Sequence, residues 1–234
     1  MNRTFRSCVA ELVGTFTLTF IGAGAIISNA GAGGGGGLVA IALAHGLALS
    51  MAVYATGHIS GGHINPAVTL GMLATRRIAL PQAIAYIVAQ CAGSTIAALA
   101  LKSFFPADAV AKANLGATLA LDATGAPVLG EMNTLLVEAI LTFLLITTIF
   151  GVAVDKKGPK NVYGFAIGLT ICFDILCAGP LTGASMNPAR SFGPALVGGH
   201  WTIHEAYWLG PILGAVAGAL VYDSLLLSKD DPAK

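Results

Sequence analysis

Charge is what this sequence has least of. Only 10% of its 234 residues are Asp, Glu, Lys or Arg, against about 25% in a soluble domain, so it cannot cover a water-facing surface. With 12 basic and 11 acidic residues the net charge is +1, which offers no footprint for a nucleic acid. The four cysteines, Cys8, Cys91, Cys172 and Cys177, sit in or beside apolar runs at spacings that suit neither a zinc site nor a disulfide framework. They read as small apolar filler. The run Gly33 to Gly37 is not followed by Lys-Ser/Thr, so it is expected to be a flexible loop rather than a phosphate cradle. No metal cluster and no nucleophile–base pair is visible, so neither an enzyme nor a bound cofactor is expected. A cleavable signal peptide is not expected, because the first apolar run starts near Cys8, contains Glu11 and lacks a cleavage site.

What is abundant is apolar. Hydrophobic residues make up 56% of the chain and the mean hydropathy is +0.80. Several runs approach the roughly 20 residues that a helix needs to cross a bilayer core of about 30 Å. Lipid offers backbone groups no partners, so such runs must be helical. Six spans are expected over about 8–28, 38–57, 81–101, 132–154, 162–178 and 205–227. Two shorter segments, about 66–76 and 188–197, reach about half-way across and read as re-entrant half-helices. Arg3, Arg6, Arg76, Arg77, Lys156, Lys157, Lys160, Lys229 and Lys234 fall on one side of this arrangement, and only Lys102 and Lys112 on the other. Positive residues favour the cytoplasm, so both termini are expected there.

The chain repeats itself. Ser60-Gly61-Gly62-His63-Ile64-Asn65-Pro66-Ala67 returns as Thr182-Gly183-Ala184-Ser185-Met186-Asn187-Pro188-Ala189, and Glu11-x3-Thr15-Phe16 as Glu138-x3-Thr142-Phe143. Ala85-Tyr86 with Gly93 returns as Ala206-Tyr207 with Gly214. Residues 1–234 thus read as one domain with repeats at approximately 8–101 and 132–227. Each half holds an odd number of spans, so the halves are inverted and their functional site belongs at the midplane. Small residues such as Gly93, Ala97, Gly214 and Gly218 let helix backbones approach closely.

The repeated Asn-Pro-Ala carries the chemistry. Asn is a favoured N-cap and Pro suits the first helical position, so Asn65-Pro66 and Asn187-Pro188 each start a helix. In an inverted repeat these two starts face each other near mid-membrane. Each brings about half a positive charge that repels cations. Each Asn can cap with its oxygen and still point amide N–H groups into a pore. Gly61, Gly62, His63, Ile64 and Gly183, Ala184, Ser185, Met186 must be unwound, which is tolerated where backbone lines a wet cavity. Their carbonyls would form a ladder of acceptors around two central donors.

These motifs resemble the aquaporins, the major intrinsic proteins. The resemblance spans nearly the whole chain, including Gly57 to Thr69 and Ser185-Met186-Asn187-Pro188-Ala189-Arg190-Ser191-Phe192-Gly193-Pro194. It implies an all-α membrane protein of six transmembrane helices plus two re-entrant half-helices, forming a homotetramer with one pore per subunit. It also implies a four-residue filter at His45, Ile175, Ala184 and Arg190, on the outer side. Glu11 and Glu138 would then support the two loops by accepting their N–H groups. Water-specific members usually have an aromatic at the first filter position and a His at the second. The set here looks like tonoplast-type aquaporins, some of which pass ammonia or urea, and implies a vacuolar-type membrane in a eukaryotic host. Tonoplast-type members that pass ammonia also place a loop His near the filter, but residues 102–131 contain none. Glycerol-conducting relatives usually carry Asp after the filter Arg, where Ser191 stands here.

Water and small neutral solutes are thus the expected partners, with ammonia as a second solute. A glycerol or urea facilitator and a structural or adhesion protein on the same fold remain as alternatives. A neutral His45 is expected to accept from a passing N–H, unless it is simply a satisfied core histidine. His63 is expected at the inner mouth. Asp174, deep in the fifth span, either orients Arg190 or His45 or pairs with another donor.

Overall fold

The computed structural model describes residues 3–227; Lys229 and Lys234 lie outside the described residues. Helices α1 (Arg3–Gly31) and α2 (Gly37–Ser60) are followed by the short α3 (Pro66–Ala74) and then α4 (Leu80–Phe104). After α5 (Ala107–Lys112) the pattern recurs as α6 (Glu131–Ile149), α7 (Tyr163–Thr182), the short α8 (Pro188–Gly198) and α9 (Ala206–Val221). Turns of wider pitch extend α6 through Phe150–Val154 and α9 through Tyr222–Leu226. Six of these helical stretches are long and apolar enough to span a membrane. The described residues contain no β-strand, only an isolated bridge between Leu121 and Pro127. The protein is an all-α membrane protein with the inverted-repeat architecture expected of it.

Both short helices start as their Asn-Pro signals require. The Asn65 side chain accepts from Ala67 N at 2.8 Å, and Asn187 accepts from Ala189 N and Arg190 N at 3.1 and 3.2 Å. Pro occupies the first helical position in both, where no N–H is needed.

The repeated glycines show how the halves close. Within each half the first and last spans cross, α1 on α4 and α6 on α9. A Cβ added at Gly93 would lie 2.3 Å from the Leu12 carbonyl oxygen, and one at Gly214 would lie 2.0 Å from that of Ala139. Only glycine admits backbones so near. The outward faces keep large apolar side chains, such as Val88, Leu99, Ile140 and Leu169, as a lipid-facing surface must. At one end Arg77 ties α3 to the rest. It pairs with Asp223 at 2.7 Å and lies over the Phe150 ring at 5.1 Å.

Two pieces of the connection between halves were not anticipated. Helix α5 packs on α1, and a turn at Asn114–Gly116 dips into the bundle until Leu115 and Gly116 are buried. The four cysteines are free, and Cys177 is exposed.

Candidate functional site

The site is built by the two unwound loops ahead of α3 and α8. Their backbones share one dihedral signature. Gly61 and Gly183 have φ of 95° and 84°, Gly62 and Ala184 62° and 46°, and Ile64 and Met186 55° and 53°. Left-handed backbone at a β-branched residue such as Ile64 is costly, and persists only where the surroundings over-determine it.

Those surroundings are two buried carboxylates. Glu11 Oε1 accepts from Ser60 Oγ at 2.6 Å and His63 N at 3.0 Å, while Oε2 accepts from Ile64 N at 2.5 Å and Gln90 Nε2 at 2.8 Å. In the other half Glu138 Oε1 accepts from Thr182 Oγ1 at 2.8 Å and Ser185 N at 2.9 Å, and Oε2 from Met186 N at 2.7 Å. Every partner donates, so each carboxylate serves as an acceptor-only anchor. Tyr86 and Tyr207 close the same loops by donating to the carbonyls of Ser60 and Thr182.

The loops are also tied to each other. Asn65 Nδ2 donates to the Met186 carbonyl at 2.7 Å, and Asn187 Nδ2 donates to that of Ile64 at 2.9 Å. One amide hydrogen of each Asn is thus spent on the opposite loop, and one remains. Both asparagines border a cavity of about 410 Å³ that runs between the halves. Gly61, Gly62, His63, Ala184 and Ser185 also line it, whereas Ile64, Gly183 and Met186 do not. The carbonyls of Ile64 and Met186 therefore belong to the cross-tie.

His45, Ile175, Ala184 and Arg190 lie on this same cavity. Arg190 is 2% exposed, and three of its five N–H donors meet protein acceptors. Its Nε and Nη2 reach His45 Nε2 at 3.3 and 3.0 Å, and Nη1 donates to the Gly116 carbonyl at 2.7 Å. A guanidinium can only donate, so His45 Nε2 is the acceptor and Nδ1 carries the hydrogen, given to Ile41 O at 2.8 Å. This corrects one expectation. The single lone pair of a neutral His45 is held by Arg190 and is not offered to a passing N–H.

The Gly116 carbonyl left no trace in the sequence, because a backbone acceptor has no residue signature. Its neighbour Thr118 donates to Ser191 Oγ at 2.6 Å, and Ser191 in turn contacts Ser185 Oγ. The connecting loop thereby grips α8 at two adjacent residues. His63, Lys160 and Tyr163 also border the cavity. Thr69 gives its own hydrogen to Asn65 O at 3.0 Å, so His63 Nδ1 donates to Thr69 Oγ1 at 3.1 Å, which leaves Nε2 as an acceptor. Asp174 differs from expectation: both of its oxygens are buried, and they have no partner among the described residues. It orients neither Arg190 nor His45. No group of three or more potential metal ligands occurs among the described residues.

Six spans around a cavity, with two capped half-helices meeting on its wall, define a membrane channel. Residues 1–222 match the family described as Major intrinsic protein. The chain is 43% identical to Aquaporin TIP4-4 of Zea mays over 230 residues, 96% of this chain and 88% of that one. It is also 43% identical to Aquaporin NIP1-1 of Zea mays over 215 residues, 92% and 73% of the two chains. The X-ray structure of the aquaglyceroporin from Plasmodium falciparum superposes with a TM-score of 0.79 at 22% identity, covering 95% of this chain and 96% of that one, a likeness of fold. The chain belongs to the major intrinsic protein family, the aquaporins, membrane channels for water and small solutes.

Proposed function

We propose that this channel conducts water and ammonia and excludes protons and ions. The observation that supports the reading is Arg190, held by His45 and Gly116 on a cavity that Ile175 and Ala184 also line. Ile175 supplies an apolar wall and Ala184 a small one. Ammonia is a weaker donor than water, so it loses less against an apolar wall. His45 contributes indirectly, by fixing Arg190. Cations meet the Arg190 charge and the positive ends of α3 and α8, a form of exclusion known for aquaporin-type pores. The free amide hydrogens of Asn65 and Asn187, and the carbonyls of Gly61, Gly62, His63, Ala184 and Ser185, provide the hydrogen-bonded path.

The same reading covers assembly and placement. The chain acts as one channel domain within a homotetramer. Arg3, Arg6, Arg76, Arg77, Lys156, Lys157 and Lys160 flank the same helix ends by connectivity, which supports cytoplasmic termini. A vacuolar-type membrane is the setting in a eukaryotic host. Osmotic shrinkage of proteoliposomes tests the core of this reading. Shrinkage faster than in protein-free vesicles is expected, with no added proton leak. Equal shrinkage rates would point to a structural protein on the same fold.

A further inference from the structure

We infer that Asp174 is a buried proton-binding site, a carboxylic acid that keeps its proton at neutral pH in the body of α7, outside the pore. Asp174 is 1% exposed, and neither oxygen has a donor among the described residues. It does not line the cavity, although its neighbours Ile171 and Ile175 do. An ionised carboxylate without a donor or counter-charge is among the costliest groups to place in a membrane interior.

The two fully buried glutamates show what ionisation requires. Glu11 has four donors and Glu138 has three. Asp174 has none. No neighbouring charge takes their place. Helix α7 packs against α2, α6 and the turns at Phe150–Val154 and Lys160–Val162. Of the groups on these elements that can carry charge, His45 and Glu138 are buried, while His58, Glu131 and Lys160 are exposed. His45 is shared between Ile41 and Arg190, Glu138 is itself an acceptor, and Lys160 Nζ is bound to the Ala153 carbonyl at 3.0 Å and to that of Asp155. Arg190 is committed to His45 and Gly116. An anionic Asp174 would thus add a second negative charge next to Glu138 with nothing to offset it.

A protonated Asp174 has a solution within its own helix. Thr15, Thr56, Thr142 and Thr170 each donate a hydroxyl to the carbonyl four residues earlier, at 2.9, 2.8, 2.7 and 3.0 Å. The acid O–H of Asp174 can do the same to the carbonyl of Thr170, the back-bonding open to short polar side chains in helices. The proton turns an unsatisfied acceptor pair into a donor with a local partner. It also leaves Arg190 and Glu138 as the charges buried on that side of the two loops, so the filter keeps its positive character.

The test is infrared spectroscopy of the protein reconstituted in lipid at neutral pH, with aspartate isotope-labelled at the side-chain carboxyl carbon. The expected result is a carbonyl band of a protonated carboxylic acid that shifts with the aspartate label and is lost in Asp174→Asn. Asp174→Asn should retain wild-type water flux, since the amide keeps the shape and neutrality of the acid. No protonated-acid band in labelled wild type, or a band that survives in Asp174→Asn, would overturn the inference. So would a folded Asp174→Asn without water flux. Should Asp174→Asn not fold, Asp174→Glu takes its place: loss of the aspartate-label shift from the protonated-acid band supports the site, and a shift that persists rejects it. None of the spectral outcomes depends on which solutes the pore passes.

Discussion

Replacing Glu138 by Gln asks whether a carboxylate is what holds the second loop open. The carboxylate accepts three hydrogen bonds, two at Oε1 and one at Oε2. An amide offers one oxygen. Its better orientation keeps that oxygen on Thr182 and Ser185 and turns its NH2 toward the Met186 N–H, donor against donor. A hydrogen bond to a charged group contributes about 1.5–3 kcal/mol, and an orphaned buried donor costs about 1–3 kcal/mol. Part of this overlaps, so a loss of about 2–5 kcal/mol is expected. Met186 sits in left-handed backbone at φ 53°, a conformation held by that contact. Ala184 and Ser185 beside it line the cavity, so water flux should fall along with stability. Thermal unfolding in mild detergent and osmotic flux in vesicles read both quantities. Glu131→Gln, at an exposed position on the same helix, controls for the change of charge. If Glu138→Gln melts and conducts like Glu131→Gln, the anchoring argument is wrong.

Other expectations follow from the same contacts. Arg190→Val should leave water flow largely intact while admitting protons or larger solutes; unchanged selectivity in liposome flux assays would count against the filter. Gly116→Ala would place a Cβ 2.6 Å from that of Ala23, at a φ of +68°. Its turn must shift, Arg190 loses a partner, and water flux should drop in a channel that still folds, as read by stopped-flow and detergent chromatography. The protein should run as a homotetramer without disulfides. A monomeric mass in mild detergent, with negative crosslinking in membranes, would refute that.

How much of this was legible in sequence depended on where each contact kept its signal. The half-helix starts could be read because an N-cap followed by proline is a local rule, carried by Asn65-Pro66 and Asn187-Pro188. The six spans could be read because lipid forces long apolar helices. Their ends were shorter than observed: α1 begins at Arg3 rather than near Cys8, and α7 runs on to Thr182 through Pro180. The buried Asn114–Gly116 turn was invisible, since its contribution is a backbone carbonyl presented by an irregular loop. The tie between His45 and Arg190 was hidden for another reason. Their types were evident, but only the fold shows that the guanidinium takes the one acceptor on the ring. Asp174 could be seen as odd but not explained, because the absence of a donor is a property of three-dimensional surroundings.

The central claim is that the constriction of His45, Ile175, Ala184 and Arg190 passes ammonia as well as water. Ammonia-driven alkalinisation of proteoliposomes loaded with a pH-sensitive dye tests it, in vesicles first shown to conduct water. The account predicts alkalinisation faster than in protein-free vesicles, suppressed by His45→Phe with Ile175→His while water flow persists. Rates no faster than those of empty vesicles, with water flow intact, would contradict it.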